Sequence, residues 1–116
     1  MKLNEFQLYS AINEFIDREI MPLGATMNLT DQFLFVFKMG VVKRKLQDVV
    51  KNYLKSDMAK TLMLVDENSN IDIDTLYQSA MDVFSNMKQI EVGGITFKET
   101  DLQNLYGIMQ KYANQR

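Results

Sequence analysis

Apolar residues recur at intervals of three and four along most of the chain, which predicts helices over most of its length. Tyr9, Ile12, Ile16 and Ile20 follow this spacing, flanked by Leu8 and Phe15, while Ser10, Glu14, Asp17 and Arg18 fall opposite. The pattern predicts a first amphipathic helix, capped at Asn4 with Gln7 in capping-box spacing and stopped near Met21 by Pro22. A turn-rich connection runs from Pro22 through Gly24 to Asn28, and Thr30 with Asp31 then supplies the cap and first-turn charge of a second helix.

That helix opens on Phe33 to Phe37, a run apolar on every side. Such a turn is either buried among neighbours or covered by another subunit. Gly40 follows, and a glycine inside a helix costs about 1 kcal/mol relative to alanine, so it marks either a break or a close helix crossing, with a kink or short break expected. From Val41 to about Ser56 the pattern is cleanly amphipathic. Val42, Leu46, Val49, Val50 and Tyr53 face one way, and Arg44, Asp48, Lys51 and Lys55 the other, with Asp48 spaced to pair with Arg44 and Lys51. A further helical turn or two spans Asp57 to Val65, and Asp66-Glu67-Asn68-Ser69-Asn70 is the strongest loop signal in the chain. The next helix starts at Asp72 or Asp74 and carries Ile73, Leu76, Tyr77, Ala80, Val83, Phe84 and Met87 at helical spacing.

The period then shortens to two. Ile90, Val92, Ile95 and Phe97 alternate with polar residues around Gly93-Gly94, a pair suited to the positive φ angles of a two-residue hairpin turn. The four apolar residues share one face, which must cover the helices because an isolated hairpin is marginal in water. In the last helix Thr100 and Gln103 have capping-box spacing, and Leu102, Leu105, Tyr106, Met109 and Tyr112 form the buried stripe. Asn114 to Arg116 is expected to fray. The echo of Leu76-Tyr77 in Leu105-Tyr106 is read as shared core packing. The resulting expectation is a mainly-α bundle of about four to five helices with one C-terminal β-hairpin, residues 90–97, before the last helix. A chain of 116 residues can bury one such core, and a single domain over 1–116 is expected.

The net charge of −2 hides an asymmetry. Between Lys38 and Lys60, seven basic residues stand against Asp48 and Asp57, a local balance of +5. From Thr61 to Asp101, eight acids stand against Lys88 and Lys98, a local balance of −6. Segments of opposite sign attract an external partner or a second copy of the chain.

Composition narrows the chemistry. With no Cys there is no disulfide framework, zinc thiolate site or thiol nucleophile, and an intracellular setting is the default. With no His there is no imidazole base near neutral pH, and a serine nucleophile lacks its usual partner. Nothing places two carboxylates in an apolar cleft, and the glycine pair lacks the phosphate-loop pattern and its lysine. The loop from Asp66 to Asp74 has oxygen ligands at alternate positions, as calcium loops begin. It carries Ile71 where the motif needs glycine, however, and Tyr77 where it needs the bidentate glutamate. Neither an enzyme, a cofactor nor a metal is expected. Met1 to Tyr9 alternates apolar with polar residues, unlike a signal peptide, and the longest apolar run falls far short of the roughly 20 residues of a spanning helix. Neither secretion nor a membrane protein is expected.

Two surfaces remain as candidates. Phe33, Leu34, Phe35, Phe37 and Met39 are read as a self-association surface. Lys43, Arg44, Lys45, Lys51 and Lys55 are read as a nucleic-acid surface, with a solvated helix face as the plainer account of the same residues. The nine methionines are expected to fill the core for the most part, with some left to an adaptable contact surface.

The run Asn70-Ile71-Asp72-Ile73-Asp74-Thr75-Leu76-Tyr77, the hairpin, and Phe97-Lys98-Glu99-Thr100-Asp101-Leu102 ahead of Leu105-Tyr106 together resemble small uncharacterised proteins encoded by bacteriophages and prophages of Gram-positive bacteria. The likeness covers roughly the C-terminal half. It implies a phage-encoded protein acting in the host cytoplasm or in particle assembly, and it transfers no functional residue. Residues and resemblance together lead to the expectation of a non-enzymatic assembly or adaptor protein. It would form a homo-oligomer through the Phe33 to Phe37 region, with a phage or host protein as a further partner. The alternative is a nucleic-acid-binding accessory protein using the basic helix 43–55.

Overall fold

A computed structural model describes residues 1–115. Strand β1, Lys2–Leu3, leads into helix α1, Glu5–Phe15. Asn4 caps this helix as its spacing predicts: its side chain accepts from the Gln7 amide at 2.8 Å, and Gln7 Oε1 accepts from the Asn4 amide at 3.0 Å. The chain then widens into a π-helical turn, Ile16–Ile20, and tightens into a 3₁₀ turn, Met21–Gly24, that contains Pro22. Proline has no amide to donate and its ring crowds the carbonyl four residues earlier, so the regular helix gives way before Pro22.

Helix α2, Leu29–Leu54, is one continuous element of 26 residues. Two expectations are corrected here. The cap is Asn28, which has extended backbone and accepts from the Asp31 amide at 2.9 Å, so Thr30 lies inside the first turn. Gly40 makes no break: Met39 and Val42, on either side of it, are fully buried, and packing of that face outweighs the roughly 1 kcal/mol a glycine costs. Nor does Gly40 mark a close helix crossing, since a methyl group there would meet nothing within 4 Å.

Helix α3, Asp57–Thr61, starts where expected and makes between one and two turns, but it ends before Val65. Met63 adopts a positive φ of 55° and ends it. In the polar loop that follows, Asp66 Oδ1 accepts from the amides of Asn68 and Asn70, and Asp66 Oδ2 pairs with Lys2 at 2.8 Å. The loop delivers strand β2, Ile71–Asp72, which pairs antiparallel with β1. This small sheet was not legible in the sequence.

Asp72 caps helix α4, Ile73–Met87, by accepting from the Asp74 and Thr75 amides. Strands β3, Gln89–Val92, and β4, Ile95–Lys98, form the expected hairpin, with Ile90 opposite Phe97 and Val92 opposite Ile95. Gly93 and Gly94 take φ of +60° and +83°, the conformation the turn requires. Helix α5, Glu99–Ala113, starts one residue before the expected cap. The cap position is Lys98, whose amide donates to Asp101 Oδ2 at 2.9 Å, and Thr100 lies within the first turn. The expected fraying from Asn114 onward lies partly outside the described residues, since Arg116 is not among them.

The fold is mainly α, as expected. Its core runs between α1, with the π-helical turn that follows it, and α5, where the buried Leu8, Ile12, Phe15 and Ile16 share one cluster with Ile108 and Met109. Leu3, Leu64, Ile71 and Ile73 close one end, and Phe84, Val92 and Phe97 the other. Helix α2 lies along the outside, touching α1, the 3₁₀ turn, α3 and β3. The molecule is elongated, 48 × 34 × 21 Å. Among the described residues no helix is long and apolar enough to cross a membrane.

Candidate interaction surfaces

The two halves of α2 are packed differently. In the C-terminal half, Leu46, Val50 and Tyr53 turn toward the body of the protein, Gln47 Nε2 donates to Asn13 Oδ1 at 2.8 Å, and the hydroxyls of Tyr53 and Ser79 share a hydrogen bond. The N-terminal half touches the body through Phe35, whose ring lies against Gly24, through the fully buried Met39, and through Gln32, which donates to the carbonyl of Met27. A side chain at Gly24 would strike that ring, so the glycine is what lets Phe35 dock.

The other apolar residues from Leu29 to Phe37 face out. Phe33 and Phe37 are 70% and 71% exposed, their tilted rings 6.5 Å apart, and Leu29, Leu34 and Val36 stand exposed around them. At ordinary aromatic side-chain areas the two phenylalanines alone leave roughly 200–350 Å² of apolar surface in water. With the three aliphatic neighbours the patch reaches the size that on a monomer marks an interaction site. Of the five residues read from sequence as a self-association surface, Phe33, Leu34 and Phe37 are exposed together and Phe35 is half-buried. Met39 is a correction: it is fully buried on the opposite side of the helix, because the register that turns Phe35 inward carries Met39 with it one turn later. Leu29, one turn before the run, and Val36, inside it, also belong to the exposed face.

The methionines also depart from expectation. Only Met39 and Met109 are buried, while Met1, Met27, Met58, Met63 and Met87, five of the nine, are exposed. Most therefore add to the apolar surface rather than to the core.

The basic residues separate into two groups. Lys43 is half-buried and tied to Asp17 at 2.7 Å, which takes it out of any phosphate-binding surface. Arg44, Lys45, Lys51 and Lys55 are exposed, and among the described residues they make no ion pair. The expected pairing of Asp48 with Arg44 and Lys51 does not form, because exposed pairs gain little over hydration.

A second apolar feature lies between the C-terminal half of α2, α4, the hairpin and the start of α5. It is an open groove with a cavity volume of about 230 Å³, walled by Val49 and Tyr53 on one side, Val83 and Phe84 on another, and Leu102 and Leu105 beneath. Its single charged lining residue is Asp101. Val49 and Val83 stand partly exposed at its mouth. The sequence reading assigned these residues to core-facing stripes, and the spacing is correct; periodicity does not reveal that the stripes of α2 and α4 stop short of closing on each other.

The shifted ionisable groups lie in ion pairs and hydrogen bonds away from both surfaces. Desolvation raises the Glu14 carboxyl, but hydrogen bonds from Lys111, Arg18 and Tyr112 outweigh it and hold the group below the usual range. Hydrogen bonding from the Met1 ammonium, and then from the Tyr106 hydroxyl, lowers Asp74. Burial, reinforced by a 2.7 Å hydrogen bond to Glu5, pushes the Tyr9 phenol up to about 12. Among the described residues no group of three or more acidic side chains is placed to hold a metal ion. What both surfaces offer is apolar contact bordered by charge. Comparison with protein-family models, with curated proteins and with solved structures finds no match for this chain.

Proposed function

We propose that this chain is a non-enzymatic assembly or adaptor protein that works through protein–protein contacts and forms a homo-oligomer. The observation that carries the proposal is the exposure of Phe33 and Phe37 side by side on a helix whose inner face is already packed. Removing apolar surface from water stabilises association by about 25 cal/mol per Å², and a patch of this kind on a free monomer favours contact over solvation. The resemblance of the C-terminal half to phage-encoded proteins supports an origin in a phage or prophage. Under that origin the protein acts in the host cytoplasm or in the assembling particle, with a phage or host protein as a further partner.

Light scattering over a dilution series is the test. A multiple of 13.5 kDa that persists on dilution, and that Phe37→Glu reduces to a single copy, is the expected result. A wild-type chain that stays at 13.5 kDa at every concentration overturns the proposal.

One observation favours a second reading, a nucleic-acid-binding accessory protein. Arg44, Lys51 and Lys55 share one exposed face of α2, so one element could meet several phosphates. A salt-sensitive gel shift on DNA that Lys51→Glu with Lys55→Glu abolishes supports it, and binding that ignores these changes removes it.

A further inference from the structure

We infer that the groove between α2, α4 and α5 is the receptor for the Phe33–Phe37 turn of a second copy, so that subunits join head to tail. The inference rests on the self-association reading above and adds its geometry.

Size and chemistry match. A phenyl ring fits an apolar cavity of about 150 Å³, the volume that holds benzene in an engineered protein core. The groove, at about 230 Å³ and lined almost wholly by aliphatic and aromatic side chains, admits one ring with room for a neighbour. A protomer cannot fill its own groove. Phe37 and Val49 are twelve residues apart on one continuous helix, about 18 Å along its axis, and by helical spacing Phe33 and Phe37 lie on the side away from the groove-lining Leu46, Val50 and Tyr53.

Charge agrees with this docking. Lys51 and Lys55 stand five full helical turns beyond Phe33 and Phe37, on the same side of α2, with Arg44 between. The segments that wall the groove, from α4 to the start of α5, carry Asp82, Glu91, Glu99 and Asp101 against Lys88 and Lys98, Asp74 being paired with the Met1 ammonium. Inserting the turn of one copy into the groove of the next therefore brings a basic helix face toward an acidic surface, which orients the encounter. The opposite signs noted along the sequence become the two sides of one contact. Because turn and groove are different surfaces, the contact is heterologous: it propagates into a ring where the rotation closes and into a filament where it does not.

Mixing two variants tests this. Phe37→Glu spoils the turn and leaves the groove; Val83→Arg spoils the groove and leaves the turn. Both positions are exposed, Val83 by 40%, and circular dichroism checks that each variant folds as the wild type does. Val49→Lys, at the opposite lip and 54% exposed, serves as a second groove variant. Each variant alone is expected to scatter as one chain, and an equimolar mixture as a complex of one Phe37→Glu chain with one groove variant. Groove variants that keep the wild-type mass, or a mixture that remains two monomers, overturn the head-to-tail geometry while leaving a multimeric wild type in place. A monomeric wild type overturns the self-association reading itself.

Discussion

The rings of Tyr77 in α4 and Tyr106 in α5 stack face to face, their centroids 4.1 Å apart and their planes 6° from parallel. The Tyr106 hydroxyl donates to Asp74, one turn before Tyr77. The echo of Leu-Tyr in the two helices thus has a physical origin: each tyrosine is the other's packing partner, and the pair fixes how α5 lies on α4. A double-mutant cycle of Tyr77→Ala and Tyr106→Ala is expected to give a coupling of about 0.5–1.5 kcal/mol, the range for aromatic pairs beyond simple area burial. Chemical denaturation of the four proteins measures it, and additive effects would deny the stack an energetic role.

Asp74 sets an acid limit. Its carboxyl lies below the ordinary value of 3.8 because the Met1 ammonium and the Tyr106 hydroxyl donate to it. A depressed carboxylate contributes stability above its unfolded pKa and loses it as pH falls through the folded one. The contribution is therefore present at neutral pH and disappears below about pH 4. Both partners are partly exposed, so it should stay within the roughly 1 kcal/mol of a screened pair. Asp74→Asn is expected to lower neutral stability slightly and to flatten the decline below pH 4, read from denaturation midpoints across pH.

Tyr9 sets the alkaline counterpart. Its phenol ionises near 12 in the folded chain because of burial and then Glu5, against 10 for a free tyrosine. A raised pKa leaves stability intact below 10 and erodes it as pH climbs from there toward 12. Tyr106 and Tyr112 shift the same way, so the wild type should lose stability over this interval. Tyr9→Phe should lose less of it, and identical alkaline titrations of the two proteins would contradict the assignment.

Glycines at two places should respond oppositely to alanine. Gly40→Ala meets no neighbour in the middle of a helix and should stabilise the chain by about 1 kcal/mol. Gly94→Ala forces a side chain onto a φ of +83° and against the Lys38 ammonium, and should destabilise by about 1–2 kcal/mol. Thermal melts of both variants decide the matter.

How much of this was legible in the sequence follows from how local each feature is. The cap at Asn4, the hairpin around Gly93-Gly94 and the stripes of α4 and α5 depend on neighbours within a few residues, and spacing finds them. The helix runs unbroken through Gly40 because the burial of Met39 and Val42 beside it, which spacing does not show, outweighs the intrinsic cost that the sequence does show. The pairing of Leu3 with Ile71 joins two-residue strands far apart along the chain and leaves no periodic trace. For the candidate surfaces, the all-round apolar character of Phe33 to Phe37 identified the exposed turn. The groove stayed hidden because Val49 and Val83 obey the same spacing as residues that are sealed.

Under the proposed self-association, Phe33 and Phe37 are covered by another copy in solution. Fluorine NMR of the chain with fluorinated phenylalanine at its seven positions, recorded from dilute to concentrated samples, reads this directly. The resonances of residues 33 and 37 are expected to differ from those of the dissociated protein and to move with concentration, while those of buried Phe15 and Phe97 hold still. Signals from 33 and 37 that keep the position of a water-exposed ring at every concentration would contradict it.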